Sequence, residues 1–192
     1  VRRLVYYVGT TLDGFTAGPG GEFDFFPQGE GDALAEYLGW TASHYPETVP
    51  TAFRGPLGVD APNRRFDTVL MGLATYRVGL PSAPSPYAHL EQHVVSRSLP
   101  AAPHPDVHLA HDPVALVREL KARSGLDVWL CGGGALAGAL LGEIDELVLK
   151  TYPVLAGAGV PVVAGTFSPT AFDVVEREQF ANGVVVTRLE RR

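Results

Sequence analysis

Short apolar runs recur along the chain, most of them closed by glycine or a polar turn and followed by helical spacing. Leu4 to Val8 reads as a central strand. Between Asp32 and Ser43, Leu34, Leu38 and Ala42 repeat every fourth position with Tyr37 beside them, which predicts a helix. A second strand, Asp67 to Met71, runs into Gly72-Leu73-Ala74-Thr75-Tyr76, a glycine and a helix start. A third, His93 to Leu99, closes on the polar Ser96-Arg97-Ser98, and Val107 to Ala110 is a fourth. Asp112-Pro113 then opens a helix, with aspartate suited to the N-cap and proline to the first helical position. Val114, Val117 and Leu120 give that helix a buried side.

Val128 to Cys131 is a further buried strand, Ala135 to Leu141 a short helix, and Asp145 to Thr151 another strand. Two runs, Phe172 to Phe180 and Val184 to Leu189, flank Asn182-Gly183, a strong hairpin-turn signal. Alternating strand and helix up to residue 151, then a hairpin, means one α/β domain over residues 1–192. Its sheet is mostly parallel with an antiparallel edge.

The segments between are of different kinds. Asp13-Gly14 is a turn and Gly18-Pro19-Gly20-Gly21 a mobile loop. In Glu22 to Pro27 carboxylates alternate with aromatics, so the stretch is either a loop pinned by its phenylalanines or a substrate wall. Tyr45 to Arg65, rich in proline and glycine, reads as a long loop of the sort that forms lids or mobile surface. Tyr152 to Pro161 is a glycine-proline loop.

Hydrophobic residues make up 46% and charged residues 19%, an ordinary globular balance. The net charge of −6 argues against nucleic acid or an anionic membrane as the main partner, since both select basic patches. The single cysteine, Cys131, excludes an internal disulfide and fits a reducing compartment. No signal peptide is visible. The uncharged run between Asp127 and Glu143 holds 15 residues, short of the ~20 that span a bilayer. The expectation is a soluble, cytoplasmic protein.

Chemistry concentrates at strand ends. In sheets of this kind ligands bind at the carboxyl ends of the strands, and three of those ends suit anions: Gly72 to Thr75, Ser96 to Ser98, and Gly132 to Leu136. Glycines let the backbone approach a ligand with no Cβ in the way, and a helix start offers unpaired N–H groups to a phosphate. Gly132-Gly133-Gly134-Ala135-Leu136-Ala137 also satisfies the G-x-G-x-x-A dinucleotide pattern. A standard Rossmann unit is nevertheless excluded. The helix after the glycines is too short, and the next strand ends in Lys150-Thr151 where such a unit places an acid.

In combination these segments resemble the dihydrofolate reductase superfamily, and within it the branch that includes the reductase domain of riboflavin biosynthesis. Thr11-Leu12-Asp13-Gly14-Phe15-Thr16-Ala17-Gly18-Pro19-Gly20-Gly21-Glu22-Phe23-Asp24 is similar to that branch's opening "SLDGFIAGPDGEFD". Met71-Gly72 with Thr75-Tyr76 resembles its "MGRxTY" and Val95 to Leu99 its "VSRTL". Cys131 to Gly134 resembles "xGGG", and Pro153 to Pro161 "PVLLGGGIP". The resemblance spans nearly the whole chain. It implies a dihydrofolate-reductase-like fold and NADPH as cofactor. Gly132, Gly133, Gly134, Ala135 and Leu136 would lie at the pyrophosphate, Gly72 and Thr75 at the other phosphate face, and Ser96 and Arg97 at the 2′-phosphate. A small-molecule substrate and a homodimer are implied with it. The chain departs from the branch at Leu73, where the family has arginine, at Phe25, often tryptophan there, and at Val162-Val163.

Reduction of an imine or carbonyl also needs a proton, and a carboxylate in an apolar pocket has its pKa raised enough to carry one. The candidates are Asp13, Asp24, Asp32 and Glu36. Asp13 leads because its motif matches best, while a turn-forming role beside Gly14 explains it equally well. The spacings His89 to His93 and His104, His108, His111 look metal-like, but strand alternation is expected to scatter the rings, leaving surface histidines and no metal. Cys131 reads as a small buried residue, since local sequence gives it no cationic neighbour. The readings left open are an NADPH-dependent reductase of a pyrimidine or pterin, dihydrofolate reductase activity proper, and a non-catalytic NADPH-binding sensor.

Overall fold

A computed structural model describes residues 1–192. Ten strands form: β1 (Leu4–Thr10), β2 (Phe15–Ala17), β3 (Phe66–Gly72), β4 (Glu91–Val95), β5 (Val107–Ala110), β6 (Asp127–Gly132), β7 (Glu146–Thr151), β8 (Val160–Pro161), β9 (Phe172–Gln179) and β10 (Val185–Arg191). The helices are α1 (Gly31–His44), α2 (Thr51–Arg54), α3 (Leu73–Arg77), α4 (Pro113–Ala122) and α5 (Gly134–Ala139), with a 3₁₀ turn at Pro46–Thr48. Eight strands make one sheet in the order β5-β4-β3-β6-β1-β7-β10-β9. Its first six strands are parallel and the hairpin β9–β10 completes it antiparallel. This is the expected mostly parallel α/β sheet.

The sheet is covered on both faces, which is why its central strands are continuously apolar instead of alternating. Along β1, Val5 and Tyr7 join one core with Tyr37, Tyr45, Phe66, Trp129 and Val148. Leu4, Tyr6 and Val8 join the other with Val117 and Leu120 of α4 and Leu136 of α5. The α4 cap forms as its sequence predicts: the Asp112 carboxylate accepts the N–H groups of Val114 and Ala115, both at 3.0 Å, with Pro113 at the first position. At the hairpin turn Gly183 takes φ +84°.

Four expectations change. Helix α1 does not bury a Leu34–Leu38–Ala42 stripe; its buried residue is Tyr37, and Leu38 is exposed. The Tyr37 hydroxyl meets that of Tyr152 at 2.8 Å, and the rings of Tyr37 and Trp40 pack on Phe180, so the larger aromatic surface decides the rotation of the helix. The third strand stops at Val95, because the Ser96 hydroxyl accepts the N–H groups of Ser98 and Leu99 and bends the chain into a turn. Residues 45–65 are no plain loop. They contain the 3₁₀ turn and α2, and the fully buried Glu47 accepts the N–H groups of Arg64 and Arg65, pinning the segment at the amino end of β3. Finally, Val160–Pro161 in the glycine-proline loop pairs with Phe15–Ala17 as a second, two-stranded sheet.

The histidines also differ from expectation. His93 is buried, and the β4–β5 register sets it opposite His108 with ring centroids 5.0 Å apart. Its only carboxylate partner is Glu91, at 2.8 Å, and no group of three metal-ligating side chains forms.

Candidate functional site: the carboxyl edge of the parallel strands

Parallel pairing puts the carboxyl ends of β3, β4, β6, β1 and β7 on one edge of the sheet. Register then makes neighbours of segments far apart in sequence: Gly72 pairs with Val95, and Met71 with Gly132. The three predicted anion-binding strand ends therefore stand side by side. A Cβ placed on Gly72 would lie 3.7 Å from the Gly132 carbonyl oxygen and 3.8 Å from the Gly133 nitrogen. The Thr75 hydroxyl, one turn into α3, lies 3.7 Å from where a Cβ would stand on Gly132 or on Gly133. Gly132 adopts φ +134°, open to glycine at no steric cost, and the Gly132–Gly133 peptide is cis. The result is a backbone cradle with one hydroxyl at its rim.

The third glycine serves another purpose. A Cβ on Gly134 would overlap the Pro161 carbonyl oxygen, and the Gly134 carbonyl accepts the Ala164 N–H at 2.9 Å. Gly134 is glycine so that the 160–164 segment can press on α5, which explains it without any ligand. Leu136 likewise puts its side chain in the core, while Ala135 is exposed. What these residues offer a ligand is backbone N–H at a helix start that no side chain caps.

At the end of β4 the Ser96 side chain is buried and already accepts two backbone N–H groups, so it shapes the turn. His111 holds the same turn through the Ser96 carbonyl at 2.7 Å. Arg97 projects from it, exposed and without an acidic partner. A guanidinium on a braced turn beside a side-chain-free cradle suits a phosphate.

None of the four candidate carboxylates occupies an apolar pocket. Asp13 is exposed and holds two loops together: it accepts the Thr11 hydroxyl at 2.6 Å and the N–H groups of Ala156 and Gly157 at 3.0 and 2.6 Å. The Thr11 hydroxyl first, then those two amides, lower its pKa to about 2, opposite to the shift a proton donor needs. The turn-forming explanation of Asp13 is the one its contacts support, extended across the chain to residues 156–157. Asp24 is exposed, and Asp32 is exposed in the first turn of α1, where an acid complements the helix dipole. Glu36 is exposed and accepts the Ala181 N–H at 3.3 Å.

The side chains that do gather beneath the cradle are phenols, a thiol and an amine. Trp129 and Cys131 of β6, Tyr7 of β1 and Lys150 of β7 point to the same face, with Tyr87 and Tyr152 beside them. Phe26 packs at 4.8 Å on Tyr152, so the Glu22-to-Pro27 stretch is pinned there by its aromatic ring. Burial pushes the Cys131 thiol up to about 12, while Lys150 pulls the other way. The cation that local sequence denies Cys131 thus arrives from another strand. Strand alternation, Val148-Lys150-Tyr152, is the signal that could have placed Lys150 on this face.

Comparison with known proteins agrees with this architecture. A family model described as the RibD C-terminal domain matches residues 2–186. Two Bacillus subtilis (strain 168) proteins, "Uncharacterized protein YwjB" and "Uncharacterized protein YyaP", are 26% and 24% identical. They cover 95% and 96% of this chain, and 95% and 92% of their own lengths are matched. The structure of a "Putative riboflavin biosynthesis protein" from Shewanella sp. PV-4 superposes with a TM-score of 0.69 at 25% identity, covering 99% of both chains. A Thermotoga maritima diaminohydroxyphosphoribosylaminopyrimidine deaminase/5-amino-6-(5-phosphoribosylamino)uracil reductase shares the fold at 17% identity and a TM-score of 0.64. This chain matches 57% of that longer one.

Proposed function

The chain belongs to the RibD C-terminal domain family, and from that membership and the carboxyl-edge cradle we propose that it is an NADPH-dependent reductase. Its substrate is a small heterocycle of the pyrimidine or pterin type, and the activity it most resembles is 5-amino-6-(5-phosphoribosylamino)uracil reductase. The observation that carries the reading is the juxtaposition of Gly72, Thr75, Gly132 and Gly133 with the Ser96–Arg97 turn. A dinucleotide with an extra phosphate needs both parts: a cradle without side chains for its pyrophosphate and a fixed cation for the 2′-phosphate.

When bound, the cofactor supplies the hydride. The residues of the chain do the rest. Gly132 and Gly133 admit the pyrophosphate to the backbone, the Thr75 hydroxyl donates to it, and the uncapped start of α5 adds N–H groups. Arg97 pairs with the 2′-phosphate on a turn braced by Ser96 and His111. Asp13 keeps the 11–14 and 154–157 loops together at the mouth of the site, as an ionised tie that moves no proton.

Titration of the protein with NADPH and NADH tests the reading. A charge-assisted hydrogen bond contributes roughly 1.5–3 kcal/mol, so Arg97→Ala should weaken NADPH binding about 10- to 100-fold and leave NADH unchanged. An unaltered NADPH-to-NADH ratio sinks the assignment of Arg97.

A further inference from the structure

Lys150 is a charge without a counter-charge. It is the penultimate residue of β7, and its Nζ stands 4.3 Å from the centroid of the Tyr7 ring. No carboxylate reaches it, although the sheet's other edge is crowded with ion pairs: Glu146 at the amino end of the same strand meets Arg65 at 2.6 Å and Arg3 at 3.3 Å. The residue is only partly covered and stands at the carboxyl end of its strand, on the edge that carries the cradle.

The groups around it carry no charge to offset it. They are Tyr7 and Tyr152, Tyr37 from α1, and Cys131 with Tyr87 on the far side of Tyr7. Burial raises the phenols of Tyr7, Tyr37 and Tyr87 and the thiol of Cys131, keeping them protonated at neutral pH. Burial also lowers Lys150 from its ordinary value, because the ammonium has lost water and has only the Tyr7 ring and uncharged groups in its place. The buried Tyr7 hydroxyl makes no hydrogen bond. Cys131 immediately precedes Gly132, so this cluster adjoins the cradle.

We propose that Lys150 is a specificity-determining residue that meets the substrate, donating from its ammonium to an anionic or carbonyl oxygen of the heterocycle. The inference rests on reading the carboxyl edge as the cofactor site. A carboxylate in such a pocket would select amidine-like donors on the ring; a lysine among phenols selects acceptors and repels cations. An oxygen anion restores to the ammonium the partner it lost on burial, whereas a protonated aminopyrimidine adds a second positive charge beside it.

The test uses two pyrimidine probes, barbiturate, an anion at neutral pH, and 2,4-diaminopyrimidine, a donor-rich base. Calorimetric titration of the full chain is run with and without NADPH. Barbiturate should bind the wild type and lose about tenfold or more in affinity on Lys150→Met, with recovery in Lys150→Arg, as expected for a lost charge-assisted bond. Diaminopyrimidine should bind Lys150→Met no more weakly than wild type. Equal barbiturate affinity for wild type and Lys150→Met, absence of barbiturate binding to the wild type, or tighter wild-type binding of diaminopyrimidine overturns the proposal. Lys150→Gln carries the same comparison if the methionine variant does not fold. NADPH binding, measured on the same samples, reports separately on the cofactor reading, because the barbiturate titration stands without it.

Discussion

Two glycine-to-alanine substitutions inside helices should change stability in opposite directions. Gly138 lies in α5, and a Cβ there would stand 2.6 Å from the Ala164 carbonyl carbon and closer still to its oxygen. The 164–165 segment would have to retreat by roughly 1.5–2 Å for that oxygen to reach ordinary contact, at an overpacking cost of roughly 1–3 kcal/mol. That movement also strains the hydrogen bond from Ala164 N–H to the Gly134 carbonyl, 2.9 Å long, worth about 1 kcal/mol. Alanine's helix propensity returns about 1 kcal/mol, so Gly138→Ala should lose roughly 2 kcal/mol net. In α1, Gly39 has nothing within 4 Å of its would-be Cβ. Gly39→Ala should therefore gain about 0.5–1 kcal/mol from propensity alone. Urea unfolding of both variants, followed by far-UV circular dichroism, should move the midpoint down by roughly 1 M for Gly138→Ala and slightly up for Gly39→Ala. A Gly138→Ala protein as stable as the wild type would refute the claim that α5 and the 160–165 segment require the absence of that Cβ.

Two further substitutions probe ties made by carboxylates. Asp112→Ala removes the α4 cap and should cost about 1 kcal/mol in the same urea assay; an unchanged midpoint would show that the two N–H groups find water equally well. Asp13→Asn should reduce hydrogen-exchange protection of the Ala156 and Gly157 amides that Asp13 now holds. Because the folded pKa of Asp13, about 2, lies below its ordinary value, its contribution is complete above that ordinary value and disappears as pH falls toward 2. The urea midpoints of wild type and Asp13→Asn should thus differ by a constant amount between about pH 5 and 8 and converge below about pH 4. A difference that instead grows as pH falls would contradict the sign.

Much of the fold was legible because it is written locally. Asp112-Pro113 opened its helix and Asn182-Gly183 turned its hairpin, since both act through backbone groups a few residues away. Helix α1 shows where local reading stops. A helical spacing of apolar residues was present, but two overlapping faces satisfied it. The choice fell to Tyr37, through a hydroxyl on Tyr152 and a ring on Phe180, over 100 residues distant. Ser96 shows the same limit at small scale, because its strand was cut short by its own side chain's bonds to Ser98 and Leu99.

By itself the sequence determined the alternation of strands and helices, the mostly parallel sheet, and the three glycine- or serine-bearing strand ends that the sheet sets side by side. Periodicity, caps and turn residues are short-range physics, carried by neighbours in the chain. Only the tertiary structure decided which glycines make the cradle and which make room for the chain, with Gly132 and Gly133 on one side of that division and Gly134 and Gly138 on the other. It also turned Asp13 from a prospective proton donor into an ionised tie and brought Lys150 to face Cys131 across Tyr7. Those outcomes depend on strand order and register, which set side by side residues that no spacing in the sequence relates.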